Sequence, residues 1–364
     1  MTYPERRKIW KRILKHKNLE HFLFAWFYWS DSKIRLVQSE YGFLRRDNFA
    51  DWLAWSLFSE SSYENLVGNR ANSKVSEIEE VIESVEKKLG IVFQPGRNPK
   101  ISAVTLNHNI VDAYPKPLIF YVVMKGLEIV ERIFLRKFGF RRVSETKNDT
   151  LSYWIHTSAS KNKLGDQNTQ QNSTIPLVFI HGIGVGLFQY LSFASFLVKT
   201  QNRPIFLIEL PYVSMRLKEK VPTPKQTVQE IERILDSYGY QKAHVVGHSW
   251  GTAVVSWMIK YSTFTASAVL LDPIVFFVTL PDLAFNFVHR IPGYNTVARA
   301  NEYLLHSMCA RELHISMTIS RKFRWNENLL WPEELPEHHF VVGARQDMLL
   351  DGNLMEKCEY QSYY

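Results

Sequence analysis

Cysteine is nearly absent from this chain: 364 residues hold two, Cys309 and Cys358. Neither has the spacing of a metal or redox motif, so a disulfide framework is excluded and a reducing compartment is favoured. Long uninterrupted apolar runs are missing too. Leu19 to Trp29 is strongly apolar, but it is too short to span a bilayer and contains Glu20 and His21. The stretch from Leu118 to Leu135 is longer, yet Lys125, Glu128, Glu131 and Arg132 interrupt it. It reads as an amphipathic helix lying on a surface or on the core, and no transmembrane helix is expected. No secretory signal opens the chain. An intracellular protein is expected, cytoplasmic or peripherally membrane-associated. Nothing has the pattern of a nucleic-acid-binding module, so nucleic acid is not an expected partner.

What the chain has in quantity is apolar and aromatic residues, 46% and 14%. That is enough for one large α/β domain with an extension. The net charge is +8, and the excess sits at the start, where Arg6, Arg7, Lys8, Lys11, Arg12, Lys15 and Lys17 face only Glu5. Such a run is either a solvated helix face or an attractor of anionic lipid. The second reading draws on Ile9, Trp10, Ile13 and Leu14, which share one helical face. Peripheral membrane contact through these basic and aromatic N-terminal helices is therefore an expectation.

The stretch Gly247-His248-Ser249-Trp250-Gly251 reads G-x-S-x-G. An apolar run suited to a buried strand precedes it, and Thr252 to Ile259 suits a packed helix. Strand, sharp turn and helix are the context in which a serine hydroxyl is lifted clear of a sheet edge. The turn asks for strained angles at Ser249 and for glycines where side chains would collide. A second small-residue loop follows the apolar strand Pro176 to Ile180: His181-Gly182-Ile183-Gly184-Val185-Gly186. An acyl-transfer site needs donors aimed at the oxyanion of its tetrahedral intermediate. The backbone N–H of Trp250 is one candidate and that of Ile183 the other, with Gly182 and Gly184 opening the loop and His181 supporting it. The glycine spacing does not fit a dinucleotide fingerprint.

With H-G-x-G at 181–184 and G-H-S-W-G at 247–251, the chain resembles the α/β-hydrolase superfamily from about residue 138 onward. Its N-terminal third is similar to uncharacterised fungal members. The resemblance implies an eight-stranded, mostly parallel sheet and a triad in the chain order serine, acid, histidine. It implies no metal and no cofactor. It also implies the organisation: a helical extension over 1–137, a first core part over 138–272, a cap over 273–335 and the core's continuation over 336–364. A hairpin is expected from 138–144 and 151–156, a polar surface insertion over 157–174, and strands at 176–181, 204–210, 243–248, 266–272 and 338–343. The aromatic cap segment suits an apolar acyl substrate.

The acid position just past the seventh strand is matched by Asp347, with Asp351 as fallback and Asp272, after strand six, as the variant position. The histidine that should follow is absent: the last two are His338 and His339. Strand eight has no counterpart either, so a C-terminally incomplete hydrolase is expected, with a non-catalytic binding protein as the alternative. His248 should point away from its neighbour Ser249. His289, His306 and His314 of the cap segment are the remaining candidates for a base.

Overall fold

The computed structural model describes residues 1–108, 111–143, 151–157, 174–218, 220–289 and 302–344. The chain forms two compact units. One holds Met1–Val111 with Thr279–Glu302 and Asp347–Tyr364, the other Asp112–Val278 with Tyr303–Gln346.

The first unit is built on aromatic packing, and its short helices are α2 (Leu19–Phe24) and α4 (Tyr63–Gly68). Helix α1 (Tyr3–Ile13) turns Ile9, Trp10 and Ile13 inward. Trp10 meets Trp52 of α3 (Arg46–Phe58) edge to face, with ring centroids 6.1 Å apart. The apolar residues Ile9, Trp10 and Ile13 are thus buried in the unit's own core, while Tyr3, Glu5, Arg7, Lys8 and Lys11 are exposed. Helix α5 (Asn72–Leu89) buries Ile78, Ile82 and Val85 at helical spacing and stops at Gly90, whose φ of 67° suits a residue without a side chain. Arg6 of α1 clamps Glu77 of α5 at 2.7 Å. Two short strands, β1 (Phe27–Trp29) and β2 (Ile101–Ala103), pair antiparallel. In the returning segment Asp282 pairs with Arg35 at 2.8 Å, and the Arg35 guanidinium lies over the Phe285 ring.

The second unit begins with α6 (Leu118–Lys137) and carries a seven-stranded sheet. Its strands are β3 (Arg141–Val143), β4 (Ser152–His156), β5 (Leu177–Ile180), β6 (Ile205–Glu209), β7 (Ala243–His248), β8 (Thr265–Leu271) and β9 (His339–Val342). The spatial order is β3-β4-β6-β5-β7-β8-β9. β3, β4 and β6 run antiparallel to their neighbours in turn, and the pairs from β6 to β9 are parallel. This is the mostly parallel sheet the sequence implies. β5 and β6 are buried at every position, as continuous apolar strands covered on both faces are. The covering helices include α7 (Leu191–Thr200), α8 (Pro224–Asp236) and α9 (Trp250–Tyr261). At the far edge β9 leaves Phe340 and Val342 exposed. Among the described residues no eighth strand extends that edge, and no helix is long and apolar enough to cross a membrane.

The division differs from the expected one at two places. Helix α6 belongs to the sheet-bearing unit, because Leu135 joins Phe140, Trp154, Phe179 and Leu207 in one apolar cluster. The expected cap is shared between the units, and its part from Tyr303 stays with the sheet: Trp257 Nε1 donates to Asn328 at 3.1 Å, and Leu330 N–H to Val275 O. The insertion at 158–173 lies outside the described residues.

Candidate active site

The order of strand addition reverses at β5, whose parallel neighbours β6 and β7 lie on opposite sides. Crevices at the carboxyl ends of such strands are where α/β sheets bind ligands. Register brings three loops to one level there: Ile180 pairs with Gly247, and His248 with Leu271. Gly182, Ser249 and Asp272 therefore follow their strands side by side.

Ser249 stands at φ 52°, ψ −116°, a sparsely populated region that an ordinary residue enters only when its surroundings force it. The forcing groups are visible. Ser249 N–H donates to Leu271 O at 2.9 Å, and Thr252 N–H returns to Ser249 O. A side chain at Gly251 would sit 2.2 Å from Ile180 O, and one at Gly247 2.6 Å from Gly251 O. Helix α9 is thereby drawn against β5 and β7 with backbone on backbone. Gly182 faces Ser249 directly: a Cβ there would lie 3.0 Å from Ser249 Cβ.

The loop 181–186 after β5 is braced from within the core. His181 is fully buried; its Nε2 accepts the Leu210 N–H at 2.8 Å, so Nδ1 carries the proton and donates to Gly182 O at 2.7 Å. Burial pushes its pKa down to about 4. The ring is therefore neutral through the physiological range, and its contribution to stability fades as pH falls from the ordinary value near 6.5 toward 4. Gly184 N–H donates to Val213 O. Among the described residues the N–H groups of Ile183 and Trp250 have no acceptor, and Trp250 opens α9, where such groups are free of intrahelical partners.

One participant, Tyr190, was not legible in the sequence; it joins His248 to the loop after β5. Tyr190 accepts the Gly182 N–H at 3.0 Å and donates its own proton to His248 Nδ1 at 2.7 Å. His248 Nε2 then carries the ring proton and lies 3.3 Å from Asp272 Oδ2. Asp272, at φ 45°, also accepts the Ala344 N–H at 2.5 Å. The relay Asp272–His248–Tyr190–Gly182 thus ties the loop after β8 to the loop after β5. It occupies both nitrogens of His248, which leaves that ring no acceptor for a serine proton. Replacing Tyr190 by Phe strands the Gly182 N–H and the His248 Nδ1 lone pair, and it is expected to cost about 1–2 kcal/mol in urea unfolding. An unchanged midpoint would mean that the relay is unstrained by its loss.

Asp347 and Asp351 lie outside the described residues; of the three acid candidates only Asp272 is described, and it faces His248. Among the described residues Ser249 Oγ makes no hydrogen bond, and no histidine reaches it. His306 Nε2 takes the Arg311 Nε–H at 3.1 Å, and His289 lies against Tyr28 Oη in the other unit. No group of three or more His, Cys, Asp or Glu among the described residues could hold a metal ion.

A buried ion cluster flanks the loop. Arg216 lies 3.3 Å from Glu131 of α6 and 3.5 Å from Glu209 at the end of β6; Arg142 adds 2.9 Å to Glu209. A side chain at Gly186 would meet Arg216 at 3.0 Å. Burial pushes the Glu131 carboxyl well above the ordinary range despite Arg216. Burial would do the same to Glu209, but Arg216 and Arg142 outweigh it and hold Glu209 low.

The chain resembles solved structures at low identity. A membrane phospholipase A, described as a bacterial virulence factor, shares 17% identity over 66% of this chain and 82% of its own, with a TM-score of 0.43. For the carboxylesterase CesB of Bacillus subtilis the values are 12%, 65%, 86% and 0.42. For a serine hydrolase of Cycloclasticus zankles they are 15%, 61%, 86% and 0.36. No curated protein matches in sequence. Residues 177–349 match the model of the alpha/beta hydrolase family. This span holds both glycine loops and β5 through β9, and over it the chain matches the α/β-hydrolase family.

Proposed function

We propose that the protein is a serine hydrolase that cleaves ester, thioester or lipid acyl bonds of an apolar acyl substrate, with Ser249 as nucleophile. The observation that carries the reading is the backbone of Ser249, held at φ 52° by the packing of Gly251 on β5. Strain of this kind serves to present a hydroxyl. In the reaction Ser249 Oγ attacks the acyl carbon and its proton passes to a base. The N–H groups of Ile183 and Trp250 hold the resulting oxyanion, and collapse expels the alcohol or thiol. Water then releases the acid and restores the serine. Asp347 is the residue to orient a histidine base. In serine hydrolases loss of that base costs on the order of 10⁴–10⁶ in turnover.

The occupied nitrogens of His248 favour a second reading, a pseudohydrolase that binds an acyl ligand or a protein without cleavage. Fluorophosphonate labelling separates the two. A hydrolase is expected to take the probe at Ser249, slowly, with labelling abolished in Ser249→Ala. Absence of Ser249-dependent adduct after prolonged incubation, read by mass spectrometry, would favour the pseudohydrolase.

A further inference from the structure

We propose that the outward face of α6 is a docking surface for an anionic lipid bilayer. The helix is mounted with its polar side in and its apolar side out. Glu128 and Glu131 are buried, together with Phe120 and Leu135 at the two ends of the inward side. Leu118, Ile119, Val122, Val123, Ile129 and Ile133 are between 47% and 75% exposed. Together with Phe134 they form one continuous stripe about 25 Å long at 1.5 Å per residue. Exposed apolar patches of this extent mark interaction surfaces.

Charge selects the occupant. Both acids of α6 are turned inward, where Arg216 and Arg132 face them and Lys125, itself 60% exposed, reaches Glu128 from the flank. The exposed rim is basic throughout: Lys125 along the flank, with Arg136, Lys137 and Arg141 at the C-terminal end. The Lys137 ammonium sits 5.5 Å from the centre of the Phe134 ring, so an apolar side chain and its cation are already arranged together. An apolar stripe with a cationic rim is the composition of a helix lying in the plane of a membrane interface, with the rim at the level of anionic headgroups. A second copy of the chain would bring two rims of like sign together. The helix is not apolar enough to span, and α1, whose apolar residues are buried, offers no comparable stripe. The inference concerns a face remote in chemistry from Ser249 and stands whether or not that serine is reactive.

The full chain is to be floated with vesicles of phosphatidylcholine, with and without phosphatidylserine. Expected is binding to the phosphatidylserine vesicles that weakens with salt and falls about tenfold or more in Ile129→Glu/Ile133→Glu. Lys125→Gln/Lys137→Gln is expected to erase the preference for phosphatidylserine. Ile129, Ile133 and Lys137 are exposed, so thermal unfolding should not move in Ile129→Glu/Ile133→Glu, whereas Lys125 also pairs with buried Glu128 at 2.8 Å and Lys125→Gln is to be compared at matched folded fraction. As an independent readout, an environment-sensitive fluorophore on Ile133→Cys should shift to the blue on vesicle addition. No binding to either vesicle, or binding indifferent to the glutamates, would overturn the proposal. So would a dimer in light scattering that the glutamates dissociate while no vesicle binding is seen, since the face would then be a self-association surface.

Discussion

Replacing Gly251 by alanine is expected to destabilise the protein by about 3 kcal/mol or more, enough to threaten folding where whole domains are stable by only about 5–15 kcal/mol. The added carbon would lie 2.2 Å from Ile180 O and 2.8 Å from its carbon. Both partners are backbone, in a helix and a central strand, so neither can rotate away as a side chain could. Relief requires α9 to back off β5, which would also loosen the turn that holds Ser249. Gly126→Ala makes the opposite control. Nothing lies within 4 Å of its added carbon, and in mid-helix the change should stabilise by about 0.5–1 kcal/mol. Urea midpoints of the two variants check both signs. A Gly251→Ala protein within about 1 kcal/mol of the parent would mean that helix and strand are not in backbone contact.

That glycine pattern is why the site was legible at all. Close approach of backbones leaves a residue-level mark, because no other side chain fits between Ile180 and α9. The strands were legible for a related reason: runs such as Leu177–Ile180 are apolar at every position only when both faces are covered. What could not be read was direction. Periodicity in α1 and in α6 shows an apolar stripe in each case, but not on which side the protein lies. In α1 the stripe with Trp10 packs inward against Trp52. In α6 the charged side turns inward, because Arg216 supplies a partner there. The same blindness hides Tyr190. Its role depends on a hydrogen bond to His248, 58 residues away, and single residues at arbitrary separation leave no pattern.

Removing Arg216 tests the cluster that this inversion creates. Arg216→Met is expected to cost about 3–5 kcal/mol near neutral pH, since Glu131 and Glu209 would be left almost without exposure and short of positive charge. The cost should depend on pH, and its sign follows from the two carboxyls. Glu209 is held low in the folded state, so its contribution is present above the ordinary carboxylate range and is lost as pH falls through the depressed value. Glu131 is raised, so its contribution is full below that range and is lost as pH rises toward and past neutrality. The arginine counters both ionised forms. Its removal should therefore hurt most at alkaline pH and least in acid, where both carboxyls can take protons. Glu131→Gln removes the raised group alone. It should flatten the decline in stability on the alkaline side, and combined with Arg216→Met it should cost less than the sum of the two, because one stranded carboxylate has gone. Urea titrations of the three variants across pH read these differences directly. An Arg216→Met penalty below about 1 kcal/mol, or one of equal size at both ends of the pH range, would mean that the buried carboxyls are not charged against this arginine.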